Sequence, residues 1–187
     1  MKLSILICSL INRSHLLKEL TEVLNTQVLL CDARNEVEIL YNVDNKESST
    51  GAKRQELLER ANGNYVIFID DDDEIYSCYL EELLKACDSG CDCFAINGHY
   101  SINGGDRVRW ELSMANQNED IGGILLRKTN HITGVKRELA LLAGFPDISN
   151  AEDKAYSEAL NPHLKSEFKI NPPMYHYRYS SSNKEYV

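Results

Sequence analysis

Four consecutive aspartates, Asp70 to Asp73, are the residues of this sequence best suited to chemistry. They directly follow an apolar run at residues 65–69, which predicts a buried strand. Adjacent carboxylates repel one another, so grouping them costs free energy unless a cation or a helix N-terminus compensates. Their oxygens suit Mg²⁺ or Mn²⁺, which also bind substrate phosphates. Taken alone, however, such a run more often marks the acidic start of a helix, which is expected here from residue 77.

A second acidic position favours a metal site over a simple helix start. Asp44 follows another predicted strand at residues 37–43, and parallel strands bring their carboxyl ends to one edge of a sheet. Asp44 and the aspartate run are therefore expected to lie at the same edge, which favours a metal and phosphate site. Glu152-Asp153 lies far along the chain, and by itself it indicates only another acidic helix start.

The first half of the chain predicts the elements that position these residues. Apolar runs predict four strands, at residues 3–9, 37–43, 65–69 and 93–97. Amphipathic stretches predict three helices between them, at residues 12–24, 52–62 and 77–88. This alternation predicts an α/β fold whose central sheet is mostly parallel, with helices on both faces.

The second half of the chain has a mixed character. Alternating segments at residues 99–102 and 107–112 predict a hairpin around Asn103-Gly104-Gly105. Two helices are expected near residues 136–143 and 152–160, and two short strands near 168–170 and 174–179. No repeat or low-complexity linker divides the chain, so we expect one domain over residues 1–187.

Composition argues against several classes of function. With 43% hydrophobic and 26% charged residues, the chain has the composition of a globular protein. Its net charge of −9 opposes binding to nucleic acid, and none is expected as a partner. The six cysteines lack a second zinc knuckle and indicate reduced thiols. No apolar run approaches the roughly 20 residues of a membrane helix, and no signal peptide is recognised, so we expect a cytoplasmic protein.

Several short motifs occur in the order found in one known family. They are Asn42-Val43-Asp44, Lys53-Arg54, Ala61-Asn62-Gly63-Asn64-Tyr65 leading to Asp70-Asp71-Asp72-Asp73, Gly144-Phe145-Pro146-Asp147, Glu152-Asp153 and Tyr175-His176-Tyr177-Arg178. Together they resemble the family 2 inverting glycosyltransferases of GT-A fold. The resemblance implies a single GT-A domain, with a nucleotide-binding half at residues 1–97 and an acceptor-binding half at residues 98–187.

The resemblance also implies where a nucleotide-sugar donor binds. The expected donor is a UDP-sugar, and Asp44 would bind its base beside Ser9 and Arg13. Arg54 would lie near the nucleotide, although a surface arginine of a helix is an ordinary alternative. Asp70 and Asp71 would contact the nucleotide.

The metal and the catalytic base follow from the same resemblance. Mn²⁺ or Mg²⁺ would bind at Asp72 or Asp73, because Asp70-x-Asp72 and Asp71-x-Asp73 match the family motif equally well. His176 and His131 are candidates to bind the metal or the diphosphate, with an ordinary surface or packed histidine as the alternative for each. Asp153 would take the proton of the acceptor hydroxyl, on a saccharide or another molecule, while the metal stabilises the departing diphosphate.

Departures from the family pattern limit these expectations. The Asp-Gly-Ser that usually follows the second strand is absent, and the Arg-Asn pair is Arg54-Gln55. Asp106 stands where processive synthases carry the Gln of Gln-x-x-Arg-Trp, which favours transfer of one sugar. A sugar nucleotidyltransferase remains an alternative, although the first strand is not followed by its glycine-rich loop. A non-catalytic module that binds a cation or a nucleotide-sugar remains another.

Overall fold

Parallel pairing of three strands builds the edge of the sheet at which the acidic residues lie. The structure is a computed structural model and describes residues 1–180. Strand β1 (Leu3–Leu10) pairs in parallel with β2 (Val37–Asp44) on one side and β3 (Tyr65–Phe68) on the other. The register sets Leu10 opposite Asp44, so β1 and β2 end together. The four aspartates follow β3 at the same edge, as the sequence predicts.

The predicted alternation of strands and helices is confirmed in the first half. The helices are α1 (Ser14–Leu30), α2 (Thr50–Arg60) and α3 (Tyr79–Asp88). A two-residue strand, β4 (Glu74–Ile75), lies between the aspartates and α3, and β5 (Cys93–Ile102) follows α3. Ser49 caps α2, because its side chain accepts a hydrogen bond from the backbone N–H of Ala52.

Strand β1 is buried on both faces, which explains its continuous apolar sequence. Leu3, Ile5 and Ile7 belong to a core that includes the inner faces of α1 and α3. Leu6 points the other way, into a second core that α2 helps to form. The sheet is therefore the middle layer between two groups of helices.

The second half contributes short strands and two helices. The strands are β6 (Val108–Leu112), β7 (Glu119–Ile121), β8 (Ile124–Arg127), β9 (Val135–Lys136), β10 (Glu167–Lys169) and β11 (Tyr175–Tyr179). The helices are α4 (Arg137–Ala143) and α5 (Glu152–Leu160), which lie close to the predicted positions. The predicted hairpin is confirmed, since β5 and β6 pair antiparallel with His99 opposite Arg109. The two strands predicted at residues 93–97 and 99–102 form one continuous strand, β5.

The sheet is mixed rather than parallel in its centre. Within residues 1–180, the strand order along the main path is β2-β1-β3-β9-β5-β6-β8-β7. Strand β9 pairs antiparallel with β3 and with β5, so these two strands are not direct neighbours. In the same part of the chain, no helix is both long enough and apolar enough to cross a bilayer.

Candidate functional site

A cavity of about 440 Å³ opens where β1, β2 and β3 end. Its walls come from the end of β1, the start of α2, the aspartate run, the start of α5 and the end of β11. Ligands of open α/β sheets bind at this edge, so the cavity is the candidate site.

Asp44 is held by a buried lysine, Lys53, which belongs to the Lys53-Arg54 motif but for which no role was predicted. The Lys53 ammonium lies 2.7 Å from Asp44 Oδ1 and donates to the Ser9 carbonyl at 3.1 Å. The backbone N–H of Ser48 donates to Asp44 Oδ2 at 2.9 Å. Burial opposes ionisation of Asp44, but these hydrogen bonds outweigh it, so the pKa of Asp44 lies below its usual value. Lys53 is among the residues that line the cavity, and Asp44 lies behind it as its partner.

Asp70 and the start of α5 are joined by one buried arginine. Arg54 Nη2 lies 2.9 Å from Asp70 Oδ1, and Arg54 Nη1 lies 3.0 Å from Glu152 Oε1. The second oxygen of Asp70 faces His131 Nε2 at 3.3 Å. Burial would raise the pKa of Asp70, but His131 and Arg54 lower it well below its usual value. Arg54 is therefore part of the site, which excludes the alternative of a surface arginine.

Asp71 is bonded to both residues that were expected beside the nucleotide base. Ser9 Oγ donates to Asp71 Oδ2 at 2.5 Å, and Arg13 Nη2 contacts Asp71 Oδ1. Arg13 Nη2 also lies 2.8 Å from Asp72 Oδ2. Burial raises the pKa of Asp71 to about 6, although Arg13 opposes the change. The guanidinium of Arg13 is turned toward the aspartate run, and its expected place beside the base stays a prediction.

Asp73 is a structural residue in this arrangement. Tyr175 donates its hydroxyl hydrogen to Asp73 Oδ2 at 2.7 Å, and the Arg178 backbone N–H donates to Oδ1 at 2.7 Å. Burial and the nearby Asp70 raise the pKa of Asp73 well above its usual value. Both oxygens are bonded inside the protein, so Asp73 could bind a metal only by exchanging these partners, and its role as a metal ligand stays a prediction.

The structure thus separates two motif frames that the sequence leaves equivalent. Asp71 and Asp73 are buried, whereas the side chains of Asp70 and Asp72 remain 28% and 22% exposed at the cavity. Asp70-x-Asp72 is the accessible frame. Within residues 1–180, no group of three or more His, Cys, Asp or Glu residues is arranged to hold a metal ion. Asp72 fits a divalent ion only if a substrate supplies further ligands, which is the usual mode for Mg²⁺ with bound phosphates.

Glu152 and Asp153 line different cavities. Glu152 faces the first cavity and is held by Arg54. Burial raises the pKa of Glu152, and Arg54 lowers it less than burial raises it. Asp153 is partly exposed and lines a second cavity of about 690 Å³ together with Asn130 and Ser157. Consecutive residues at the start of α5 therefore reach two neighbouring spaces.

His176 is bonded away from the cavity. Its Nδ1 lies 3.0 Å from Glu74 Oε2, and its Nε2 lies 2.9 Å from Ser101 Oγ. Both ring nitrogens are engaged, so His176 would have to give up one of these bonds to bind a metal, and that role stays a prediction. His131 is the histidine that reaches the aspartate run, through Asp70.

Three residues that matter at the site belong to motifs in the sequence, but no role was predicted for them. Lys53 has the pattern of a surface lysine on α2, and Tyr175 belongs to an alternating aromatic strand. Arg178 donates from Nε to the Asp72 carbonyl at 2.8 Å and from Nη1 to Glu74 at 2.9 Å. Only the closing Tyr-Arg motif could have indicated Tyr175 and Arg178.

Comparison with known proteins points to one family. The model described as "Glycosyl transferase family 2" matches residues 7–142, which is more than half of the chain. No curated protein sequence matches the chain. Among solved structures, TarS residues 1–349 of S. aureus in complex with UDP-GlcNAc is similar, with a TM-score of 0.67 and 16% identity. The same TarS fragment in complex with UDP gives a TM-score of 0.65 and 16% identity.

These likenesses cover most of this chain but only part of the larger proteins. The matches cover 95% and 98% of this chain and 58% and 62% of the two TarS fragments. A longer TarS structure from S. aureus matches with a TM-score of 0.66 and 15% identity, and the match covers 38% of that chain. At such identities, the structural comparisons show a shared fold.

Proposed function

The chain belongs to glycosyl transferase family 2, and we propose that it transfers one sugar from a nucleotide-diphosphate sugar to an acceptor hydroxyl. One observation carries this proposal. Arg54 pairs with Asp70, on the accessible Asp70-x-Asp72 frame, and with Glu152, far along the sequence, which supports placing the two motifs in one site. The first cavity would receive the donor, and the second would receive the acceptor.

The donor we propose is a UDP-sugar. Its base would lie at the end of the cavity formed by Lys53 and Ser9, with Asp44 holding the Lys53 ammonium in place. Asp70 and Asp71 would lie beside the ribose. The similarity in fold to a protein solved with UDP-GlcNAc and with UDP supports a uridine nucleotide.

Asp72 would hold Mn²⁺ or Mg²⁺ together with the donor diphosphate. A divalent ion bound there supplies positive charge that stabilises the leaving diphosphate. Arg178 adds a fixed positive charge at the same place, because its guanidinium lies on the Asp72 carbonyl and lines the cavity. Arg13 is the other cation of this wall.

Asp153 would act as the general base of an inverting transfer. The acceptor oxygen forms a bond to the anomeric carbon, its proton passes to an Asp153 oxygen, and the bond to the diphosphate breaks on the opposite face. Glu152 is fixed by Arg54 and faces the donor cavity. Asp153 is the member of the pair that faces the second cavity, where an acceptor can approach.

The test is nucleotide release from UDP-, GDP- and dTDP-sugars with Mn²⁺ and a panel of hydroxyl acceptors. We expect one uridine donor to turn over, and Asp153→Asn to reduce turnover by about 10²- to 10⁴-fold while UDP binding is retained. Asp32→Asn is the matched control, because this residue is exposed and its left-handed backbone (φ 52°) tolerates Asn. Absence of binding to every nucleotide, or full activity of Asp153→Asn, would contradict the proposal.

A further inference from the structure

Lys128 lines the second cavity, beside Asp153, and has no carboxylate partner among the described residues. It follows β8 directly and is partly buried. The other lysines of residues 1–180 that are at least partly buried all lie 2.7–2.9 Å from a carboxylate oxygen; they are Lys2, Lys53 and Lys136. Partial burial of an ammonium group without a partner costs free energy, and here it occurs in a chain whose net charge is −9.

The other cations of the second cavity are already paired. Arg127 Nη1 lies 2.7 Å from Asp120 Oδ1, and Lys154 Nζ lies 3.9 Å from Glu158 Oε1. Lys128 therefore adds a positive charge to the cavity that no carboxylate of the described chain neutralises. The described lining also contains no aromatic side chain, so charged and polar groups dominate what this cavity can recognise.

The backbone next to Lys128 is bonded to α5, the helix that carries Asp153. The carbonyl of Thr129, the following residue, accepts a hydrogen bond from Ser157 Oγ at 2.6 Å and another from Asn161 Nδ2 at 3.0 Å. Ser157 belongs to α5, and Asn161 follows that helix directly. Lys128 and Asp153 therefore line one cavity from two parts of the chain that are fixed to each other.

We propose that Lys128 selects an acceptor that carries an anionic group, a carboxylate or a phosphate, close to the hydroxyl that receives the sugar. This inference rests on the proposed function, because it takes the second cavity to be the acceptor site and Asp153 to be the base. The anion binds the Lys128 ammonium and compensates for the desolvation of that group. Asp153 stays free to take the hydroxyl proton, since the two side chains bind different groups of the acceptor. A neutral acceptor leaves Lys128 unpaired, so the cavity discriminates between acceptors by charge.

The first test is direct binding, with UDP present to fill the first cavity. The probes are three matched sugars: methyl glucoside, methyl glucuronide and methyl glucoside 6-phosphate. NMR titration measures their affinities, and shifts of the amide signals at residues 128–130 locate the site. We expect an anionic probe to bind about tenfold more tightly than methyl glucoside, because hydrogen bonds between charged groups are stronger than neutral ones. The tighter of the two anionic probes identifies the group as a carboxylate or a phosphate.

The variants test whether Lys128 is the origin of this preference. Lys128→Met keeps a long side chain without its charge, and it should reduce the advantage of the anionic probe to less than about twofold. Lys128→Arg keeps the charge and should retain most of the advantage. Lys165→Met is the matched control, because it removes the same charge from an exposed position outside both cavities and should preserve the advantage. Circular dichroism would confirm that every variant is folded.

Equal affinities for the three probes, or an advantage that survives in folded Lys128→Met, would overturn the inference. Turnover gives a second readout, since Lys128→Met should raise KM for an anionic acceptor and leave kcat unchanged. An equal loss of turnover with neutral and anionic acceptors would show that Lys128 serves Asp153 instead, which also overturns it. If no nucleotide-sugar is turned over, the proposed function fails, yet the binding comparison still tests the preference for anions.

Discussion

Arg54 and Glu152 form a buried ion pair, with 3.0 Å between Arg54 Nη1 and Glu152 Oε1, that ties α2 to the first turn of α5. The side chains are 5% and 9% exposed. The guanidinium also lies 5.9 Å from the ring centre of Phe145, in the segment between α4 and α5. The position of Asp153, the next residue after Glu152, therefore depends on a cation that also holds Asp70.

Loss of the Arg54 guanidinium should destabilise the folded protein. We expect Arg54→Met to lower the free energy of unfolding by about 3–5 kcal/mol, because the buried Glu152 loses its counter-charge and the partly exposed Asp70 keeps only His131. Urea unfolding followed by circular dichroism measures the change. Arg60→Met on the same helix is the control, since its pair with Glu56 is exposed and should contribute less than about 1 kcal/mol. Similar losses for the two variants would show that the Arg54 network is not a stabilising one.

The separation of Asp72 from Asp73 predicts opposite behaviour of two neighbouring substitutions. Asp73→Ala should lower the free energy of unfolding by about 1–3 kcal/mol, because the Tyr175 hydroxyl and the Arg178 N–H lose their buried acceptor. Asp72→Ala should change that free energy less than Asp73→Ala does, because Asp72 is partly exposed and Arg13 keeps its contact with Asp71. It should nevertheless abolish the effect of Mn²⁺ on UDP binding.

Thermal unfolding and calorimetric titration with UDP, each with and without Mn²⁺, distinguish the structural role of Asp73 from the metal-binding role proposed for Asp72. Tyr175→Phe provides an internal check, because it removes the hydroxyl that donates to Asp73 and leaves Asp72 untouched. It should behave like a weaker form of Asp73→Ala. A response to Mn²⁺ that is lost in Asp73→Ala but kept in Asp72→Ala would reverse the assignment.

The sequence predicted those features that depend on periodicity or on strand ends. Continuous apolar runs revealed β1 and β3, and the meeting of Asp44 with the aspartate run follows from parallel pairing. Strand β9, only Val135–Lys136, is too short to have a period, and so the mixed centre of the sheet was missed. Side-chain directions after a strand end have no fixed alternation, so the accessible aspartate frame became clear only in the structure.

Close packing at the start of α2 predicts an unusual response to a helix-favouring substitution. A methyl group on Gly51 would lie 1.9 Å from the Pro146 carbonyl oxygen, which is far inside van der Waals contact. We expect Gly51→Ala to destabilise the protein by about 1–3 kcal/mol through overpacking, although alanine is the better helix former. Urea unfolding measures this, with Thr50→Ala on the same turn as the comparison. A more stable Gly51→Ala protein would show that the backbone at Pro146 can shift to make room for the methyl group at little cost in free energy.

The lowered pKa of Asp44 predicts how its contribution to stability depends on pH. Because its hydrogen bonds with Lys53 and Ser48 favour the ionised form, the contribution is fully present above the unfolded pKa of about 4. It is lost as pH falls through the lower pKa of the folded state. The difference in unfolding free energy between the original chain and Asp44→Asn should therefore be constant from pH 5 to 7 and decrease below about pH 4.

Urea unfolding at a series of pH values between about 3 and 7 measures this difference. Asp32→Asn is the control, because Asp32 is exposed and its substitution should give a small difference at every pH. Asp44 should contribute nothing to a pH dependence of UDP affinity between pH 5 and 7, since it remains ionised and continues to hold the Lys53 ammonium. A stability difference that grows as the solution is acidified would mean that the Lys53 pair does not favour ionised Asp44 in the folded protein.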